Sequence, residues 1–278
     1  MERIIEYIKI LFLGIVEGIT EWLPISSTGH MLLVDEFLKF NESYSFKELF
    51  FVVIQLGAIC AVVLLFWNKM FPFRTGEAAK KEGVIRSDVF SLWFKTVVAC
   101  IPGAVVTLLF DDWIDEHLHT PTVIALALIF YGVAFLFVEK WNAKRSARRG
   151  TLSDITYKDA LLIGTFQVLS IIPGTSRSGS TIIGALILGI GRVPAAEFTF
   201  FLAVPVMLGY SLLKLLKFGL ALTVNQWILL AIGCISAFLT SLFVIRFLMD
   251  YVKKHSFAAF GWYRILLGAV VLLYFLIF

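Results

Sequence analysis

The chain has 278 residues, 59% of them hydrophobic and 16% charged, with a mean hydropathy of +0.89. Soluble domains carry about 25% charged residues and somewhat under half apolar ones, so a water-soluble globule is excluded; a disordered chain is excluded too, and three Cys cannot make a disulfide-stapled scaffold. The composition is that of a polytopic membrane protein, and a formal charge of +4 calls for no nucleic-acid partner, because Lys and Arg collect in the cytoplasmic loops of such proteins.

The chain opens on Glu2, Arg3 and Glu6, and the run that follows holds Glu17 and Glu21, so no cleavable signal peptide is expected. Segment 1–48 is moderately apolar but interrupted at Pro24-Ile25-Ser26-Ser27-Thr28-Gly29-His30. Three runs follow at 49–67, 92–110 and 122–139, each near the 20 or so apolar residues that a transmembrane helix needs. Segment 159–197 is again interrupted, at Pro173-Gly174-Thr175-Ser176-Arg177-Ser178-Gly179-Ser180-Thr181, and three more runs follow at 198–217, 227–245 and 260–278. Each run carries charge only near its ends and none alternates, which predicts helices rather than a barrel. Cys60, Cys100 and Cys234 sit in apolar runs without metal-ligand spacing and read as small core hydrophobes.

Loop charge sets the orientation. Lys69, Arg74, Lys80, Lys81 and Arg86 lie in 68–91; Lys140, Lys144, Arg145, Arg148, Arg149 and Lys158 in 140–158; Arg246, Lys253 and Lys254 in 246–259. The alternate loops are poor in bases: 111–121 holds Asp111, Asp112, Asp115 and Glu116, and 218–226 is uncharged. The positive-inside rule puts the first three in the cytoplasm and the other two outside. Segment 159–197 then begins and ends inside, so it enters the membrane and returns. By the same logic 1–48 begins and ends outside.

The two interrupted segments match at an offset of 150: Gly14 with Gly164, Ser26 with Ser176, Gly29 with Gly179, and Glu17 falls on Gln167. The expected fold is therefore all-α and forms one membrane domain. It comprises two inverted-topology repeats, about 1–140 and 141–278, each a re-entrant helical hairpin plus three transmembrane helices. Such repeats bring paired broken helices together near the midplane.

Ionisable side chains in broken membrane helices are candidates for function. Glu17 and Glu21 are four residues apart, so a helix stacks both carboxylates on one face, and their repulsion calls for a cation, a proton or an Arg between them. The plainer alternative is that both are solvated at the interface. Ser26, Ser27, Thr28 and His30 supply hydroxyls and a base for nucleophilic or water-mediated transfer, unless the hydroxyls only satisfy broken backbone. Gly174, Ser176, Arg177, Ser178 and Thr181 form a Gly-rich turn entering a helix, a ready anion site, with Arg177 as a planar fork for phosphate oxygens or else a counter-ion for Glu17 or Glu21. Together these make a phosphate site with catalytic groups beside it. On residues alone, phosphoryl transfer and transport of a phosphorylated substrate stay equally open.

The stretch Glu17 to His30, the stretch Pro173 to Thr181 and the Ala196-Glu197-Phe198 that follows resemble the signatures of the bacterial undecaprenyl-diphosphate phosphatase family, known for bacitracin resistance, and the likeness spans essentially the whole chain. The resemblance implies an inner-membrane enzyme that removes the terminal phosphate of a polyprenyl diphosphate lipid. It also implies a requirement for a divalent cation, Mg2+ or Ca2+, and a site open to the periplasm. In that light Glu17 and Glu21 hold the cation, Arg177 with the N–H groups around Ser176–Thr181 binds the phosphoryl oxygens, and Ser26, Thr28, Gly174, Ser176, Ser178 and Thr181 complete the phosphate-binding set. Ser27 is the nucleophile, with His30 or Glu21 taking its proton; in the second variant His30 or Glu21 activates water and Ser27 only donates a hydrogen bond. The expected partners are the lipid substrate and the bilayer, with no nucleic acid and with a homodimer allowed. The rival reading is a transporter or flippase for a phosphorylated polyprenyl lipid.

Overall fold

The computed structural model describes residues 2–118, 120–219 and 221–277, with the side chains of 2, 32, 78 and 111–116 left undescribed. The acidic side chains of Asp111, Asp112, Asp115 and Glu116, which bear on the orientation, thus lie outside the described residues. Twelve α-helices occur among the described residues: α1 Glu2–Thr20, α2 Ser27–Leu38, α3 Tyr44–Leu65, α4 Trp67–Met70, α5 Gly76–Glu82, α6 Ser87–Leu118, α7 Pro121–Asn142, α8 Tyr157–Val168, α9 Arg177–Ile187, α10 Arg192–Phe218, α11 Val224–Lys254 and α12 Ala258–Ile277. The described residues contain no strand beyond two isolated bridges, Phe73–Ile85 and Arg149–Ile190.

Six helices, α3, α6, α7, α10, α11 and α12, are long and apolar enough to cross a membrane, one for each predicted run. Several extend well past their apolar runs. Hydropathy makes 111–121 a loop, yet α6 continues to Leu118; it makes 246–259 a loop, yet α11 runs to Lys254. Hydropathy measures what lipid accepts, whereas a helix ends where its backbone hydrogen bonds end, and these two lie beyond the apolar boundary.

The two interrupted segments are helix–break–helix units. α1 stops at Thr20 and α2 starts at Ser27; α8 stops at Val168, followed by a 3-10 turn over Leu169–Ile171, and α9 starts at Arg177. Each break contains a proline, Pro24 or Pro173, which pushes the preceding residue out of the helical region. Each ends on a serine with positive φ, Ser26 at 75° and Ser176 at 72°. Both serines are N-caps, and their hydroxyls accept from the N–H of the glycine three residues on, Gly29 at 3.3 Å and Gly179 at 3.1 Å. For these two the plainer role, satisfying broken backbone, holds. A non-glycine residue in such a conformation costs about 1–3 kcal/mol and persists only where its surroundings fix it.

Packing is reciprocal. α1 lies on α11 and α8 lies on α6, while α3 pairs with α10 and α7 with α12. Small residues let the backbones approach, as usual in membranes. A Cβ on Gly164 would sit 2.2 Å from the Ala99 carbonyl oxygen of α6, and one on Gly14 would sit 2.6 Å from that of Gly233 in α11. Along α12 the buried residues are Gly261, Arg264, Gly268 and Val271, and both glycines meet α7 backbone. Much of the Phe-rich composition goes into the core, where Phe198, Phe200 and Phe201 of α10 are buried and Phe200 meets Trp22 edge-on at 5.4 Å. The cysteines are all free and less buried than expected: Cys60 is exposed and the other two are half-buried. An apolar outer surface is acceptable where the solvent is lipid.

Candidate active site

The two breaks come together, and the point of contact is Glu21. Ser27 and Arg177 occupy the same place in their units, the first residue of α2 and of α9, at the offset of 150 read from the sequence. Both reach Glu21. The Ser27 hydroxyl donates to Glu21 Oε2 at 2.6 Å, and Arg177 Nη2 donates to Glu21 Oε1 at 3.1 Å. Glu21 is 6% exposed, so it is not a solvated interfacial carboxylate; its charge is matched by Arg177 and by a hydroxyl. Arg177 is held by a second contact, Nη1 to the Thr199 carbonyl at 3.0 Å, and its buried Nε has no partner among the described residues. The counter-ion role for Arg177 is thus present, and donors remain for a further anion.

Around this core the serines stitch the breaks together. Ser178 Oγ donates toward the Glu21 and Leu23 carbonyls at 3.3 and 3.4 Å and lies 3.1 Å from Ser176 Oγ. Thr181 is fully buried and bonds the Arg177 carbonyl and Thr199 Oγ1, both at 2.9 Å, fixing the first turn of α9 to α10. Glycine is required at Gly174 by its φ of +90° and by the Ile124 carbonyl oxygen 2.5 Å from where a Cβ would be. Gly174 and Thr181 therefore shape the site from behind. Thr28 is exposed, and its hydroxyl takes no part in the network among the described residues.

His30 is placed differently from expectation. Its Nδ1 lies 2.6 Å from the Ser26 carbonyl oxygen, which can only accept, so Nδ1 carries the proton. Its Nε2 lies 2.7 Å from the Tyr263 hydroxyl, and the two rings are nearly parallel. Both ring nitrogens are engaged, and neither is on Ser27. Of the two candidate bases, Glu21 is the one on the hydroxyl.

Two residues of α12 belong to this site and were missed in the sequence. Tyr263 is one. The other is Arg264, fully buried, which donates Nη1 to the Pro24 carbonyl at 3.1 Å and Nη2 to the carbonyls of Gly174 and Thr175, both at 2.8 Å. One guanidinium therefore holds both breaks. The Tyr131 ring lies beneath it, 5.8 Å from the centroid.

Glu17 is 1% exposed, and its Oε1 has no hydrogen-bond partner among the described residues; Glu21 and Arg177 are its charged neighbours. A buried acceptor without a donor costs about 1–3 kcal/mol, more when charged, so this oxygen is suited to a ligand that supplies positive charge. No group of three or more His, Cys, Asp or Glu side chains that could enclose a metal occurs among the described residues. A divalent cation held at Glu17 would need ligands beyond the side chains of the described residues.

The helix ends complete the picture. The N–H groups of Gly29 and Gly179 go to the capping serines, and those of His30 and Ser180 go to the carbonyls of Ser26 and Ser176. The first-turn N–H groups of Ser27, Thr28, Arg177 and Ser178 have no such partner among the described residues, so two helix N-termini with free donors meet at Glu21. Converging positive helix ends and a guanidinium are suited to an anionic group, with a hydroxyl on a carboxylate beside them.

The chain is similar to known proteins along nearly its whole length. The sequence model of the family described as bacitracin resistance protein BacA matches residues 10–270. A protein of Enterococcus faecalis named undecaprenyl-diphosphatase is 65% identical over 269 residues, 97% of either chain. Proteins of the same name from Lachnoclostridium phytofermentans and Acetivibrio thermocellus are 57% and 54% identical over 98% of either chain. With the family model covering nearly its whole length, the chain belongs to the bacitracin resistance protein BacA family.

Proposed function

We propose that the chain hydrolyses undecaprenyl diphosphate to undecaprenyl phosphate and inorganic phosphate, recycling the carrier lipid for cell-wall synthesis and so conferring bacitracin resistance. The observation that carries this reading is the Glu21 carboxylate bridging the Ser27 hydroxyl and the Arg177 guanidinium between two helix N-termini. In this mechanism Ser27 Oγ attacks the terminal phosphorus while its proton passes to Glu21. Undecaprenyl phosphate leaves, and water then releases phosphate from the serine. Arg177 and the free N–H groups of α2 and α9 stabilise the charge on the transferred phosphoryl oxygens; donors fixed in place beforehand usually contribute most to catalysis of this kind. Glu17 and Glu21 would hold a divalent cation, Mg2+ or Ca2+, which when bound neutralises diphosphate charge. The polyprenyl tail stays in lipid, and Thr28 and Tyr263, both exposed, flank the way in for the headgroup.

Purified protein in detergent is expected to release phosphate from the C55 diphosphate, and EDTA to stop the release. Movement of the headgroup across liposomes with no phosphate released would instead identify a transporter. Arg177→Lys keeps the charge but loses the planar fork, so turnover is expected to fall more than tenfold, about 1.4 kcal/mol in the barrier. Full activity in that variant would reduce Arg177 to a counter-ion.

The two halves, about 1–140 and 141–278, are read as inverted-topology repeats. The reciprocal packing of α1 on α11 and α8 on α6, together with the paired Ser26 and Ser176 caps, supports this reading. The protein would sit in the bacterial inner membrane with its site open to the periplasm. A cysteine at Asn225 should then be labelled by an impermeant reagent in intact spheroplasts, and one at Ser146 should be labelled only after lysis. Equal labelling of both before lysis would sink the orientation.

A further inference from the structure

A polar cavity lies away from this site, at the opposite end of α9. It has a volume of about 730 Å3 and lies between the loop after α7 and the turn joining α9 to α10. An 11-residue helix is about 16 Å long, so α9 separates this cavity from the Arg177 end by roughly that distance.

Four cations line the cavity, Lys144, Arg145, Arg148 and Arg192, and no acidic residue does. The acidic groups nearby are already used. Glu139 takes the Arg192 guanidinium at 2.6 to 3.1 Å and also the Phe257 N–H, and Asp159 takes Arg149 at 2.6 Å. Lys144, Arg145 and Arg148 have no carboxylate partner among the described residues, so the cavity carries about three uncompensated positive charges.

Its walls are tied rather than loose. The Arg148 N–H donates to the Gly189 carbonyl at 2.8 Å, the Gly191 N–H returns to the Arg149 carbonyl at 2.9 Å, and the Asn142 side chain donates to the Leu186 carbonyl at 3.0 Å. The Arg145 guanidinium stacks 3.8 Å above the centroid of Trp141. Trp141 lies at the end of one membrane helix and Arg192 at the start of another, so both mark headgroup depth, where aromatic rings and basic side chains collect.

We propose that this cavity binds the phosphate of an anionic phospholipid headgroup in the adjacent leaflet. Its volume is in the range of small-ligand sites, and basic pockets between membrane helices bind such headgroups. A lipid fits better than a soluble anion because the cavity lies at the ends of two membrane spans, with Arg145 of its lining stacked on an interfacial tryptophan.

The test uses the full chain in nanodiscs, with retained lipid read by native mass spectrometry and affinity by titration of phosphatidylglycerol into phosphatidylcholine. The parent should retain phosphatidylglycerol selectively. The K144Q/R145Q/R148Q variant should bind it about a hundredfold more weakly, at about fivefold per charge. Phosphate release from the diphosphate substrate should be unchanged in zwitterionic nanodiscs, which checks that the variant is folded. The single variant R148Q, expected to lose about fivefold, serves if the triple variant does not express. Equal retention by parent and variant would overturn the proposal. So would displacement of the lipid by millimolar inorganic phosphate, which would make the cavity a site for the free ion. Neither outcome touches the hydrolytic reading, which is measured separately.

Discussion

Ser27→Ala is expected to lower phosphate release by about 10⁴-fold or more, the scale seen when the nucleophile of a covalent mechanism is removed. The Ser27 hydroxyl heads α2, half-buried, at 2.6 Å from Glu21 Oε2. Arg177 holds the other oxygen of the same carboxylate, so the base is oriented before substrate arrives. Alanine removes the attacking oxygen and also the donor to Glu21 Oε2, so the size-exclusion profile should match the parent while stability falls by about 1–3 kcal/mol, far too little to account for a loss of that size in turnover. Ser26→Ala is the control. It removes the cap of α2, worth about 1 kcal/mol, and should keep most of the turnover because Ser26 donates nothing to the reaction. Acid quench with labelled substrate should trap phosphoserine in the parent and none in Ser27→Ala. If Ser27→Ala turns over within about tenfold of the parent, a lost hydrogen bond is enough to account for it. Water directed by Glu21 or His30 would then be the attacking group.

The number and placement of the spans were legible because crossing hydrocarbon is a one-dimensional demand on length and apolarity. The breaks were legible too, since Pro24, Pro173 and the Gly/Ser stretches after them interrupt otherwise apolar segments. The offset of 150 even pairs Ser27 with Arg177, the two residues that meet on Glu21. What the sequence left open was the distribution of hydrogen bonds. His30 and Glu21 were equal candidates for the base until geometry put His30 between Ser26 and Tyr263. Arg264 was passed over because a lone Arg near the end of an apolar run resembles a side chain that snorkels to the interface. A signal was present. Gly261, Arg264 and Gly268 recur at helical spacing, so Arg264 shares the face on which α12 packs closely against α7.

Arg264→Met is expected to cost both stability and turnover, the second more than the first. The side chain is fully buried and no carboxylate among the described residues neutralises it; its partners are the carbonyls of Pro24, Gly174 and Thr175 and the Tyr131 ring. Methionine fills similar space but leaves three buried carbonyls without a donor, at about 1–3 kcal/mol each before the breaks relax. For a chain of this size a loss of several kcal/mol corresponds to a drop of roughly 10 °C in Tm. Those carbonyls lie just before Ser27 and Arg177, so relaxation moves apart the two residues proposed as nucleophile and phosphate clamp. Positional errors of about 1 Å can cost about a hundredfold in rate. Arg264→Lys restores a charge and three donors, but a compact ammonium cannot span both breaks as the planar fork does. It should recover part of the Tm while turnover per folded molecule stays low. Fluorescence-detected melting and phosphate release, each normalised to the monodisperse fraction, separate the two effects. Parent-like Tm and turnover in Arg264→Met would show that the breaks hold their shape without this guanidinium.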